Sequence, residues 1–477
     1  MRQWRRCGGA GADCVDRGMT ARAFLEPVFG AHLDDALFDE LRRTEYARLD
    51  ADNQAYLDFT GTALYADRQI TAHAARLRRV VLGNPHSENC PSLVSTAMIR
   101  EAKARVLAFL DASPSDYVVC FAANTSAAIK LVAESFPFGE FSGLALTADN
   151  HNSMNGIREF ARGKGAAVRY IGLDDELRLV SPRKVLRSLP PGGLFGFPAQ
   201  SNFSGVKHSL SLIDVAHRCG HMVLLDAAAF LPTNALSLKR NPADFVALSI
   251  YKIAGYPTGV GALVARRESL ARLARPWFAG GTVAYVSVQH GTHRLSGDEA
   301  QAFEDGTPAF VDMAAVADGL DFLEGIGMDR INRHVMRRTT GFLAGLQKLV
   351  RRDGSPLVRI HGPSVAGDRG ATIAFNVIGR TGDVLPFAHV VERARNEGVS
   401  FRGGCFCNPG ASEAAFRFPP DATARCFRSL GDQDFSVEKF SECLGPGIPV
   451  GAVRASMGIA TNECDIDRAL AVVASFG

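Results

Sequence analysis

From about residue 115 to 270, short uninterrupted apolar runs alternate with stretches in which apolar residues recur every three or four positions. The runs are YVVCFA (117–122), LALTA (144–148), AVRYIG (167–172), GLFGFPA (193–199), MVLLDAA (222–228), FVALSI (245–250) and GALVAR (261–266). Most lack the apolar–polar alternation of a half-exposed strand, so they predict strands buried on both faces of a mainly parallel sheet. The intervening segments TSAAIKLVAESF, NSMNGIREFARGKG and LSLIDVAHRCG have helical spacing, and the last two end on a helix-stopping glycine. The alternation predicts an α/β fold with seven strands in its large domain.

Past residue 310 the pattern changes. MAAVADGLDFLEGIGMDRINRHVMRRTTGFLAGLQKLVRRDG predicts two long helices ending at Gly354. ATIAFNV (371–377), VSFRGG (399–404) and AVRASMG (452–458) follow as strands of a smaller α+β domain. The stretch 410–447, with FRFPPDA and GPGIP, has little periodicity and reads as a lid or a disordered loop. The expected organisation is a disordered tail over 1–21 and an N-terminal segment over 22–75 that packs with the small domain. The large domain then covers 76–330, and the small domain 331–477.

Composition narrows the partners. The chain has 477 residues, 47% hydrophobic and 22% charged, with a net charge of +3. So small a charge gives no support for nucleic acid or an acidic membrane as partner. No apolar run approaches the length of a membrane span. The start, MRQWRRCGGAGADCVDRGMTARAF, has arginines without an apolar stretch behind them, so it does not read as a secretory signal. Structure is expected to begin near Arg22, with Met19 an alternative start. Ten cysteines are scattered rather than framed, which predicts reduced thiols and a cytoplasmic location.

Three places could carry chemistry. Lys252 follows the strand FVALSI, and Asp226 ends the strand MVLLD. Ligands of open α/β sheets sit at the carboxyl ends of strands, so the two are candidates for one cleft. A Schiff-base lysine with an aspartate that keeps a pyridine nitrogen protonated is the minimum equipment for pyridoxal phosphate. The bland alternatives are a solvated lysine and a capping aspartate. In VVCFAANTSAAIKLV, Thr125 and Ser126 stand where a helix start could hold a phosphate, or where Asn124, Thr125 or Ser126 merely caps the helix. His151, just past a strand end, could stack on a flat ring or be an ordinary histidine. The third place is FRGGCFCNPG (401–410), whose Cys405 and Cys407 lie downstream of Arg402. They could form a disulfide, half a metal site or a reactive thiol. A ring closed between them would be very small and strained, and the ligands of a metal site are not found at suitable spacing, so no metal is expected.

Longer stretches carry a resemblance. YLDFTGTALY (56–65), GNPHS (83–87), HNSMNGIREFA (151–161), FPAQSNFSGVKHSLSLI (197–213), VLLDAAAF (223–230), PADFVALSIYKIAGYPTGVGALVAR (242–266) and FEDGTPAF (303–310) follow, in order, the class V aminotransferase superfamily. The chain most resembles the aminotransferase-like domain of molybdenum cofactor sulfurases, and is similar to cysteine desulfurases more broadly. The resemblance implies a homodimer of pyridoxal phosphate fold-type I subunits, the large domain being the cofactor-binding one. It makes Lys252 the Schiff-base lysine, Asp226 the partner of the pyridine nitrogen and His151 the residue stacked on the ring. Thr125, Ser126 and Ser249 would hold the phosphate, joined by Thr307 supplied to the neighbouring subunit. Asn202 and Arg454 would meet the substrate carboxylate; an arginine suits this because its planar fork accepts a carboxylate bidentately. The sulfur-accepting cysteine falls five residues after the loop arginine, at Cys407, with Cys405 assisting or incidental. Arg402 and loop amides would favour its thiolate, and Gly403 and Gly404 would let the loop swing. His86 in NPHS matches a family position without an assigned role.

The chain departs from many cysteine desulfurases at Ala229 (often glutamine) and Tyr251 (often histidine); both changes resemble the sulfurase branch. The second domain that eukaryotic members of that branch carry downstream is not found before Gly477. A separate sulfur acceptor, a protein or a carrier of molybdenum cofactor, is therefore expected. The resulting expectation is a desulfurase that takes L-cysteine to L-alanine and leaves a persulfide. The alternatives are another class V reaction (epimerase, lyase or aminotransferase) and a non-enzymatic protein using its cysteine pair structurally.

Overall fold

The computed structural model describes residues 31–431, 435–445 and 447–477. The expected tail over 1–21 and the start near Arg22 lie outside the described residues. A short strand, β1 (Ala55–Tyr56), precedes the seven strands of the main sheet. These are β2 (Tyr117–Ala122), β3 (Gly143–Thr147), β4 (Ala167–Ile171), β5 (Leu194–Pro198), β6 (Met222–Asp226), β7 (Phe245–Ser249) and β8 (Gly261–Arg266). Every one coincides with an apolar run of the sequence.

The spatial order is β2-β8-β7-β6-β5-β3-β4. The pairs β3–β4, β3–β5, β5–β6 and β6–β7 are parallel, and only β8 runs against its neighbours. Continuous burial explains the continuous apolar runs: β3, β5, β6 and β7 are buried at every residue. The edge strand β4, with Arg169 and Tyr170, is the half-exposed exception. Because the parallel strands point one way, their carboxyl ends deliver the following loops to one side of the sheet.

A hairpin of β9 (Val283–Ser287) and β10 (Thr292–Leu295) stands off the sheet with Tyr285 and Val288 exposed. The second body is a four-stranded antiparallel sheet in the order β11 (Val358–His361), β12 (Thr372–Val377), β15 (Ala452–Ser456), β14 (Arg402–Gly404). Beside it β13 (Val399–Ser400) pairs in parallel with β1.

Three expectations are corrected. The two long helices are Met313–Ile326 and Met328–Lys348, so the second stops short of Gly354. Leu349 turns extended, and the chain folds back through Val350 and Pro356 with Gly354 at positive φ. The stretch 410–447 is not a loop: it holds helices Pro409–Phe416, Pro420–Ser429 and Val437–Leu444. Two of these start on a proline, whose fixed φ suits the first helical position, and the third is capped by Ser436. Each is too short to show a period. The last two share a small core of Ala422, Cys426, Phe440 and Leu444, and the first packs through Ala411 and Phe416 against Phe203 and Phe406 instead. Within it Cys426 and Cys443 are joined as a disulfide, against the expectation of reduced thiols throughout. Cys405 and Cys407 are both free and exposed. No helix among the described residues is long and apolar enough to cross a membrane.

Candidate active site

The carboxyl ends of the main-sheet strands enclose a cavity of ≈ 400 Å³. Its wall includes Thr125, Ser126, His151, Asn202, Asp226 and Lys252, which come from five separate loops or strand ends. Ala229 and Tyr251 also face it.

Lys252 sits on the single helical turn Ile250–Ala254 that leaves β7. Burial pulls its ammonium below the usual lysine range, while the Asp226 carboxylate opposes that pull. A lysine so placed loses its proton more readily than one in water and becomes a nucleophilic amine. Asp226 closes β6, is 8% exposed, and takes the Ala228 N–H on Oδ1 at 3.0 Å. His151 caps the turn Asn152–Asn155, its Nδ1 accepting the Ser153 N–H at 3.2 Å. The neutral ring therefore carries its proton on Nε2. Burial lowers its pKa, with Asp226 opposing and Lys252 and Arg454 reinforcing.

The ambiguity over the helix Thr125–Ser135 is resolved by geometry. Asn124 is the cap, its Oδ1 accepting from Ala127 N at 2.9 Å. Thr125 is left uncommitted, and the Ser126 hydroxyl shares a 2.5 Å hydrogen bond with Ser153. Ser249, at the end of β7, has a buried hydroxyl with no hydrogen-bond partner among the described residues. It pairs in register with Gly261. A Cβ on Gly261 would lie 2.3 Å from the carbonyl carbon of Asn124 and 2.6 Å from Thr125 N. The orphan hydroxyl and the helix N-terminus are thus neighbours, and only glycine lets the strand pass between them.

On the other side stands the smaller body. Arg402 and Arg454 face each other in the β14–β15 register. Arg454 is buried, yet neither guanidinium is among the cavity-lining groups. Both are turned to Asp58. Arg402 donates through Nη2 to Oδ2 at 2.6 Å and through Nε to Oδ2 at 2.9 Å, while Arg454 Nη2 donates to Oδ1 at 2.9 Å. Arg454 Nη1 also reaches the Asn202 carbonyl at 3.0 Å. The Asp58 hydrogen bond raises the Arg402 pKa; burial lowers that of Arg454, and Asp58 offsets it.

The cysteine loop is strapped to the cavity rim. Asn202 donates to the Phe406 carbonyl at 2.8 Å and accepts from Asn408 at 2.9 Å, and Asn152 N donates to the Cys407 carbonyl at 2.8 Å. The Phe406 ring lies under the Arg454 guanidinium, 4.8 Å from its carbon. Phe406 and Cys407 both adopt positive φ, +58° and +55°, which non-glycine residues rarely do and which costs on the order of 1 kcal/mol each. Those straps hold the strained turn. The negative charge of a Cys407 thiolate would raise the proton affinity of both Lys252 and Arg402; Cys405 is not among the main charges acting on either.

Thr307 does not join this cavity within its own chain. It is held near Asn84 at 3.5 Å, in a segment fixed by Glu304 on the Phe121 N–H and Asp305 on Arg275. Asp58 and Asn408 were given no role from the sequence, although both lie inside the motifs quoted there. A carboxylate two residues past a strand of two gives no local sign of its partners.

A family model of class-V aminotransferases matches residues 55–469. The chain belongs to the class-V aminotransferase family. Within it, the chain is 35% identical to bovine molybdenum cofactor sulfurase over 94% of its own length and 53% of that protein. It is 33% identical to the human one, over 90% of its own length and 50% of that protein. The chain thus spans about half the length of the curated relatives it matches. Among solved structures, the apo cysteine desulfurase of Thermococcus onnurineus NA1 superposes with a TM-score of 0.74 at 24% identity, over 92% of this chain and 97% of that one. The cysteine desulfurase CsdA of Escherichia coli gives 0.71 at 19%, over 94% and 98%. These likenesses fix the α/β fold of the family.

Proposed function

We propose that this chain is a pyridoxal phosphate-dependent cysteine desulfurase of the molybdenum cofactor sulfurase kind, converting L-cysteine to L-alanine and storing the sulfur on Cys407. The observation that carries the reading is the meeting of a half-buried Lys252, its pKa lowered by desolvation, with Asp226 and His151 in one cavity, within electrostatic reach of Cys407. The cavity suits the cofactor on independent grounds. An unpartnered Ser249 hydroxyl lies beside the N-terminus of an eleven-residue helix, where a phosphate is favoured by free N–H groups and the helix dipole. Thr125 and Ser126 add hydroxyl donors there, and Gly261 leaves the space a Cβ would fill.

When bound, pyridoxal phosphate supplies a carbon that condenses with amines and a ring that withdraws electrons from the substrate's α-carbon. Lys252 would be the amine that holds it and would then carry the α-proton. Asp226 would keep the ring nitrogen protonated, and His151 would lie against the ring. Asn202 and Arg454 seat the substrate carboxylate. The Cys407 thiolate attacks the substrate sulfur: an S–S bond forms, the C–S bond breaks, and its electron pair stays with the substrate skeleton, which takes up a proton and leaves as alanine. The persulfide is then passed to an acceptor, a protein or a molybdenum cofactor carrier. Thr307 of one subunit completes the phosphate seat of the other in a homodimer, and its position away from its own cavity supports this.

The test is to load the purified protein with pyridoxal phosphate, add L-cysteine and dithiothreitol, and measure alanine and sulfide together. Equal amounts of both are expected. Alanine without sulfur release, or racemised cysteine instead, would shift the reading to another class-V reaction.

A further inference from the structure

Asp58 stands between two guanidiniums that do different jobs. Arg454 is buried, 2% exposed, and Asp58 is its one carboxylate partner among the described residues. Arg402 is half-exposed, rises from the base of the cysteine loop, and holds the same carboxylate in a fork. The trio carries two positive charges and one negative, all close to the cavity rim. Its net positive charge leaves room for one more carboxylate. Arg454 also keeps an unspent donor: its Nε is buried with no acceptor among the described residues. A buried guanidinium with an idle donor is costly unless something arrives to fill it.

We propose that Asp58 is a positioning residue that holds the place of the substrate's carboxylate, keeping Arg454 paired until that carboxylate displaces it and Asp58 passes wholly to Arg402. This rests on the reading of Arg454 as the arginine that seats the substrate carboxylate. Asp58 therefore competes with the substrate, and Arg402 weakens the competition by drawing Asp58 away. The strand geometry allows the exchange with little movement. Arg402 and Arg454 are register partners, so a small side-chain rotation moves Asp58 from a shared to a single partner. Arrival of a carboxylate at Arg454 would thereby tighten the base of the loop that bears Cys407.

The test titrates L-alanine, which has the carboxylate but no sulfur, and ethylamine, which lacks the carboxylate, into holoenzyme by calorimetry. Asp58→Asn is expected to bind alanine about tenfold more tightly, since a charge-assisted competitor is removed, with ethylamine unchanged. Arg402→Gln is expected to bind alanine several-fold more weakly, on the order of threefold to tenfold. In the Asp58→Asn background the Arg402→Gln change should have no further effect. A role confined to holding the fold would weaken binding in both single variants, and that outcome overturns the proposal. Equal losses from Arg402→Gln in both backgrounds would mean that Arg402 touches the carboxylate itself, which also overturns it. Arg454→Ala separates the two levels: if it leaves alanine binding unchanged, the seat is elsewhere and the underlying reading fails. Should Asp58→Asn not fold, Gly61→Ala, which crowds the Asp58–Arg402 pair without removing a charge, must weaken alanine binding for the proposal to stand.

Discussion

The two walls of the cavity are built on opposite plans. On the main-sheet side, Lys252 and Asp226 line the cavity from strand ends with their polar atoms open or nearly so, and Ser249 behind them has a hydroxyl without a partner among the described residues. On the side of the smaller body, Arg454 and Arg402 stand behind the cavity lining and already have a partner in Asp58, and Asn202, which follows β5 and does line the cavity, is taken up by Phe406 and Asn408. The first wall is a vacant seat and the second an occupied one. A group that binds a permanent guest can be left unsatisfied, because the guest satisfies it. A group that meets a transient substrate needs a stand-in between visits, since a buried guanidinium left unpaired is expensive.

The largest effect is expected on the vacant wall. Lys252→Ala should lower alanine formation by about ten thousandfold or more, on the order of 5 kcal/mol. Borohydride reduction of wild-type holoenzyme should fix the cofactor to the peptide that contains Lys252. Labelling of a different lysine would break the contrast at its root. Next comes the loop that joins the walls. Cys407→Ser should lose persulfide formation by about a thousandfold while keeping its visible absorbance, and Cys405→Ser should stay within about threefold of wild type. Mass spectrometry of the tryptic peptide after brief exposure to cysteine locates the extra sulfur; finding it on Cys405 would reverse the assignment.

The difference between the walls also governs how much could be read beforehand. The main-sheet strands were legible because all but the half-exposed edge strand β4 are nearly unbroken apolar runs, and Lys252 and Asp226 inherit their place from those strands. The partners on the second wall join residues hundreds of positions apart, such as Asp58 and Arg454, and no local pattern records such a pairing. The same holds for the helices within 410–447. The last two are held by a small shared core and a disulfide, and the first by a cluster with Phe203 and Phe406, rather than by a periodic face. The orphan Ser249 hydroxyl could be named by motif, but its isolation is a fact of packing alone.

The smaller body should also be the more acid-sensitive of the two. His334 and His361 are buried there, and burial is the main cause that pushes each down to about 4 from the ordinary 6.5. Their folded values lie below the unfolded one, so the unfolded chain binds more protons between pH 6.5 and 4. Stability is then full above about 6.5 and is lost as pH falls through that window. Each shift is worth on the order of 3 kcal/mol at its acid end. His361→Gln, which keeps a donor for the Asn376 side-chain oxygen, should flatten the fall by about half. Denaturant melts from pH 7.5 to 4 would read it, and an unchanged slope would remove His361 from the account. Smaller again is Arg454→Ala, which should raise the cysteine concentration at half-maximal rate by about thirtyfold, near 2 kcal/mol, with the visible band intact. An unchanged dependence on cysteine would make Arg454 a plain structural ion pair.

The smallest expected effect probes the occupied wall without removing any charge. A Cβ on Gly61 would lie 2.5 Å from Asp58 Oδ2 and 2.6 Å from Arg402 Nη2. The Gly61 N–H donates to the Asp58 carbonyl, so the backbone cannot retreat without opening that turn. Arg402 is the flexible, half-exposed member and gives way, whereas Asp58 is held on the far side by Arg454. Gly61→Ala should therefore break the Arg402 fork and leave Asp58 wholly with Arg454. Losing a partly exposed ion pair costs on the order of 1 kcal/mol in stability. Alanine binding should weaken about threefold, because the stand-in now grips its arginine harder. A variant with wild-type melting temperature and wild-type alanine affinity would mean that the fork carries no tension between the two arginines, and that the second wall is as indifferent to its partners as the first.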